Sequence, residues 1–173
     1  MAAKPLFAEV WPDEAQLWQW SLALYPLIKP QCLHWQDEYQ ANVNLLLLLL
    51  YLQRQQQPLS AAQLQQLCDA LQPQQALTRQ LRQLRRQLPP HLTAAEANQL
   101  KQALLQTELA AEQVEQRLLV QALPRLLACT NDDATDALLS LYLQQLAIPL
   151  GSSVQQQLLD LDQAARQVAA PSR

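Results

Sequence analysis

The residues in this chain best able to do chemistry are three glutamates and a run of arginines. Glu108, Glu112 and Glu115 fall three and four positions apart, in line with Leu104 and Leu119, so on a helix of about 100° per residue they share one face with leucines. A carboxylate on an apolar face costs several kcal/mol to bury unless it is paired and hydrogen-bonded. The stretch LTRQLRQLRR supplies the partners: Leu77, Leu81, Leu84 and Leu88 form its apolar stripe, Arg82 and Arg85 sit at the edge of that stripe, and Arg79 and Arg86 point away. Arg82 and Arg85 are therefore expected to reach Glu108 and Glu112 across a helix interface, because a guanidinium fork meets a carboxylate in a bidentate way. Two readings stand side by side, an ion-pair lock that fixes helix register and a polar pocket whose arginines bind an anionic ligand.

A second polar set is Trp18, Gln36, Asp37 and Asn44. Gln36 and Asp37 either hydrogen-bond the free backbone groups at the following helix start or line a ligand or peptide site.

No catalytic, cofactor or metal constellation emerges. Asp132 to Asp136, DDATD, matches the D-D-x-x-D by which isoprenoid synthases hold magnesium, but it lies at a helix start where acids are expected, and no second acidic motif accompanies it. His34 and His91 are the only histidines, and neither follows a glutamate by three, as a di-iron bundle requires. One glycine, Gly151, leaves no material for a phosphate loop. The arginine run lacks nearby aromatics for base stacking, and a net charge of −3 disfavours nucleic acid as a partner.

The elements that must position these groups are helices. Half the residues are apolar, led by leucine, and the polar half is dominated by about thirty glutamines, all good helix formers. Prolines and caps divide the chain. Pro12, Asp13 and Glu14 open a first helix to about Tyr25, with Trp11, Ala15, Trp18, Leu22 and Tyr25 on its expected core face. Pro26 and Pro30 bracket a turn before a short helix ending near Tyr39, and Asn42 caps the leucine helix. Ser60 caps a helix to about Leu71, and the arginine helix follows Pro73. Thr93 to Glu96 is a capping box for the longest helix, to about Ala122. Further helices are expected from about Asp133 to Ala147 and from Ser152 to about Val168. The sum is an all-α, single-domain bundle of about seven helices around the leucine-rich one, spanning 1–173 with an ordered core of about 8–168.

The leucine run, Leu45 to Leu52, is about eight apolar residues where a membrane span needs about 20, so it reads as the centre of a soluble bundle. Cys32, Cys68 and Cys129 are odd in number and far apart, which suggests buried thiols in a reducing compartment. The N-terminus lacks a signal-peptide pattern, and a cytoplasmic protein is the expectation.

Taken in order, LWQWSLALY, CLHWQDEYQANVNLLL, LTRQLRQLRR, ELAAEQVEQ and LLSLYLQQL resemble a family of small bacterial proteins of unknown function, over most of the chain. The resemblance implies a cytoplasmic helical protein and supplies no mechanism. Its pattern falls on Trp18, Tyr25, Leu33, Gln36, Asp37, Val43, Asn44, Arg82, Arg85, Arg86, Glu108, Glu112 and Gln116. It departs at Gln40 and Asn42, where the family pattern has glycine and aspartate. With no catalytic set in sight, the expected function is a non-enzymatic module that binds a partner protein through the region of Trp18, Gln36, Asp37 and Asn44. The competing expectation is a small-molecule binder or enzyme built on Arg82, Arg85, Glu108 and Glu112, and the glutamine-rich surface leaves room for a homo-oligomer.

Overall fold

In the computed structural model, which describes residues 11–127 and 133–169, Asp13 opens α1 (Glu14–Tyr39) with a reciprocal cap. Its carboxylate accepts from the Gln16 N–H at 2.7 Å, and the Gln16 side chain accepts from the Asp13 N–H at 2.9 Å. Asn42 caps α2 (Val43–Arg54) as the sequence predicts, accepting from the Leu45 N–H at 2.9 Å. Ser60 with Gln63, and Thr93 with Glu96, close the same kind of box at the starts of α3 (Ala61–Arg86) and α4 (Ala94–Ala122). A 3-10 turn at Leu123–Arg125 ends α4, and α5 (Leu138–Gln145) and α6 (Ser152–Gln167) complete the described chain.

The fold is all-α, but the described residues form six α-helices rather than about seven. Two expected breaks do not occur: α1 runs through Pro26 and Pro30, and α3 runs through Pro73. A proline inside a helix removes one bond to the carbonyl four residues back. Those carbonyls belong to Leu22, Pro26 and Asp69, all exposed residues, so solvent can take the freed acceptors and each helix continues. The helix expected from Asp133 starts only at Leu138. Ala134–Thr135 instead pairs antiparallel with Leu59–Ser60, in the register Leu59 to Thr135 and Ser60 to Ala134. Cys129 and part of the DDATD stretch lie outside the described residues.

The leucine helix is the centre. Leu45 to Leu50 and Leu52 are each no more than 3 % exposed, and α2 packs against α1, α4, α5 and α6. Its end is held by polar side chains: Gln53 accepts from the Leu138 N–H at 3.1 Å, supplying the cap that α5 lacks, and Arg54 donates to the Ala165 and Val168 carbonyls at the end of α6. No helix among the described residues is long and apolar enough to cross a membrane.

The inward face of α1 is not the expected one. Leu17, Trp20, Ser21, Leu24, Ile28, Cys32 and Trp35 are buried, whereas Leu22 is 56 % exposed and Trp11, Trp18 and Tyr25 are only half-buried. Trp20 meets Tyr51 of α2 edge to face at 5.4 Å, and the Trp35 indole donates to Gln157 of α6 at 2.9 Å. The α1–α2 turn needs a left-handed residue, and Gln40 takes it at φ 57° and ψ 26°. That conformation costs a non-glycine residue about 1 kcal/mol or more. Gln40→Gly is therefore expected to raise stability by about 0.5 kcal/mol, the gain in φ freedom exceeding the greater unfolded-chain entropy of glycine; urea unfolding of the two proteins measures it.

Candidate functional site

The glutamates and arginines singled out by spacing meet. Arg82 Nε lies 2.8 Å from Glu108 Oε1, Arg82 Nη2 lies 3.1 Å from Glu112 Oε1, and Arg85 Nε lies 2.6 Å from Glu108 Oε2. Glu108 is buried at 4 % exposure and takes a guanidinium on each oxygen. Burial opposes its ionisation, but the hydrogen bonds from Arg85 and Arg82 and their charges outweigh that and hold its carboxyl below the ordinary value. Glu112 goes the other way: burial, and the negative charges of Glu108 and Glu115, push its carboxyl up against the pull of Arg82. All four side chains of the cluster are ion-paired to one another.

One turn further along α4, the carboxylate series reaches the core. Glu115, 2 % exposed, accepts from the side-chain amides of Asn42 at 2.9 Å and Asn44 at 2.8 Å, both on Oε2. Gln116 donates from Nε2 to Asn44 Oδ1 at 3.1 Å and to Ser21 Oγ at 2.9 Å. The Asn42 N–H donates to the Tyr142 hydroxyl at 2.9 Å, and burial pushes that phenol up so that it stays protonated. The start of the central helix is thus tied at once to α1, α4 and α5. Glu115 Oε1 is left without a partner in the fold. Glu115 is one of the residues bordering a cavity of about 20 Å³, the size of a single water, lined also by Gln36, Asn42, Asn44, Thr78, Arg79, Arg82 and Glu112.

Above that cavity lies an open cleft of about 330 Å³ between the last turn of α1 and the outer edge of α3, sharing Gln36, Arg79 and Arg82 with it. Asp37, Gln40, Gln83, Arg86 and Gln87 line the rest. Arg86 reaches Asp37 at 3.4 Å, with both side chains about half exposed, while Arg79 has no ion-pair partner among the described residues. Of the predicted residues, Gln36, Asp37 and Arg82 line the cleft, and Asn44 and Glu112 belong to its floor. Arg85 and Glu108 sit within the ion-pair cluster behind it. Trp18 stands apart, half-buried on α1, and lines neither space.

Sequence reasoning missed Ser21 and Tyr142 as members of the network. Glu115 was visible through its spacing from Glu108 and Glu112, but its amide partners were not. Neither described cysteine lines the cleft. Burial pushes the Cys32 thiol up to about 12 and the Cys68 thiol up to about 11, so neither is a ready nucleophile at neutral pH. Among the described residues no group of His, Cys, Asp and Glu is placed to hold a metal ion.

Fold and site together define an all-helical protein with a buried acid–amide network beneath a basic cleft. The chain belongs to the family described as protein of unknown function (DUF2390), whose model matches residues 16–119. That span contains every residue lining the cleft and its floor, whereas α5, with Tyr142, and α6 lie beyond it. No curated protein and no solved structure matches the chain.

Proposed function

We propose that the protein is a non-enzymatic helical interaction module, and that its cleft takes an acidic segment of a partner protein. The observation that carries this reading is the pair Arg79 and Arg86, seven residues apart on one edge of α3, bordering an open groove lined otherwise by Arg82, four glutamines and a single acid, Asp37. Arginine and carboxamide groups recognise carboxylates by charge and by directional hydrogen bonds. A pocket for a small organic ligand is usually walled by apolar and aromatic side chains, and this cleft has none. The mutual ion pairing of Arg82, Arg85, Glu108 and Glu112 favours the reading of this cluster as a lock over its reading as a ligand pocket. The free thiols at Cys32 and Cys68 support a cytoplasmic setting.

The test is affinity capture from the source cells on immobilised protein, followed by binding of a synthetic peptide from the captured partner's acidic segment. Wild type is expected to retain that partner. Arg79→Glu with Arg86→Glu is expected to weaken the peptide by about tenfold or more, and Asp37→Ala to tighten it by freeing Arg86. Equal capture by wild type and the double variant, or capture of nothing, sinks the reading.

A further inference from the structure

Arg79 and Arg82 stand between the open cleft and the carboxylates of its floor. Both arginines border the cleft and the small cavity beneath it, whereas Glu112 and Glu115 border the cavity. A negative charge entering the cleft therefore draws on the same cations that hold the floor.

The charges of this group balance without a ligand. Arg82 and Arg85 are matched by Glu108 and Glu112, and Arg86 by Asp37. That leaves Arg79 as the counterweight to Glu115, with which it borders the cavity. An entering carboxylate thus puts the group one negative charge in excess. Glu108 and Glu115 are buried, and beneath the surface such an excess is felt more strongly than in open water. Uptake of one proton removes it.

Bonding decides which carboxylate takes that proton. Glu108 holds a guanidinium on each oxygen, and Glu115 holds two amides on Oε2. Asp37 is half exposed, so water supports its charge. Glu112 has a single ion-pair partner among the described residues, Arg82 Nη2 at 3.1 Å, and that partner borders the cleft. The groups around Glu112 are Arg79 and Arg82 from α3, Glu108 and Glu115 from its own helix, Tyr25 from α1 and the uncharged Asn42 and Asn44 at the start of α2. Burial raises the phenols of Tyr25 and of Tyr142, the latter near Glu115, so both already carry their protons at neutral pH. Glu112 is pushed up by burial, Glu108 and Glu115 before any ligand arrives, against the pull of Arg82.

We infer that the cleft binds its acidic segment together with a proton, which Glu112 takes up as the ligand's carboxylate engages Arg82. Arg82 keeps Glu108 through Nε while Nη2 turns to the ligand, so the helix register survives binding. The inference rests on the acid-binding reading of the cleft and adds its regulation. A bound anion raises Glu112 further. Affinity is therefore highest below the Glu112 value of the free protein and falls as the pH rises to the bound value, tenfold for each unit between the two.

Calorimetric titration of the full chain with capped tetra-aspartate, from about pH 5 to 8, tests it. At each pH two non-phosphate buffers of different ionisation enthalpy are compared, and the difference in apparent binding enthalpy counts the protons taken up. Wild type is expected to take up protons over part of this range and to lose about tenfold in affinity across it. Glu112→Gln is expected to bind about tenfold more tightly than wild type at neutral pH and to lack that uptake. His34 and His91 do not line the cleft, and whatever they contribute is common to both proteins. Binding with the same proton uptake and pH profile in the two proteins overturns the inference and leaves the acid-binding reading in place. No binding by either protein at any pH overturns both.

Discussion

Glu115→Ala is expected to destabilise the fold by about 3 kcal/mol, roughly the cost of leaving two buried amide donors unsatisfied and adding a cavity. The side chain is 2 % exposed and its Oε2 takes the amides of both Asn42 and Asn44. Asn42 spends its own oxygen on the first turn of α2, which fixes the amide plane and aims its nitrogen at Glu115. Removing Glu115 therefore loosens the start of the central helix, against which α1, α4, α5 and α6 pack. For a chain of this length the loss corresponds to a melting point lower by about 9 °C. Glu115→Gln is the discriminating control. It keeps an oxygen for both amides and puts its new NH2 in the place of Oε1, which has no partner among the described residues, so it is expected to cost only about 1 kcal/mol. Urea unfolding of the three proteins reads both numbers. Equal losses for Ala and Gln would mean that the carboxylate's charge, rather than its acceptor geometry, holds the network.

The contrast between Glu115 and its partners shows where the sequence stops being informative. Spacing along one helix places Glu108, Glu112 and Glu115 on a shared face, and the arginine stretch offers the only clustered cations, so that pairing follows from local periodicity. The asparagine cap at Asn42 is local too, as are Ser60 and Thr93. Ser21 and Tyr142 carry no such signal, since each looks ordinary in its own helix and becomes part of the network only through contacts 95 and 100 residues distant in sequence.

The errors have physical causes of the same kind. Proline positions suggested breaks because a helix interior disfavours proline, yet the prolines of α1 and α3 all sit on exposed faces, where the lost bond is cheapest. The tryptophan face of α1 was misread because apolar residues are dense enough there to satisfy a helical period on two adjacent stripes. Trp20 and Trp35 took the core, and Trp18 was left at its margin. Gln40, where the resemblance leads one to expect glycine, takes a left-handed backbone, which explains why glycine would fit better there.

Arg82→Ala is expected to cost about 3 kcal/mol, the scale for removing one partner of a buried ion pair. Arg82 is the residue that joins Glu108 to Glu112, and its loss leaves Glu112 with no ion-pair partner among the described residues while Glu108 keeps Arg85. Thermal unfolding at neutral pH measures the loss, and an unchanged midpoint would sink the lock. Acid separates the two carboxylates. Glu108 titrates below its ordinary value of 4.5 in the fold, so its contribution is present above that value and is lost as the pH falls through the lower folded value. Glu112 titrates above 4.5 in the fold, so the folded state takes up its proton before the unfolded state does. Its ionised form weighs against folding at neutral pH, and that burden lifts as the pH falls through the raised value. Glu112→Gln, which cannot ionise, is therefore expected to gain stability relative to wild type as the pH rises from 4.5 through the raised folded value, whereas Glu108→Gln is expected to lose it as the pH rises from the lowered folded value to 4.5. If both variants follow the same pH curve, the two glutamates act as one titrating pair and the lock has no internal division between a paired and a strained carboxylate.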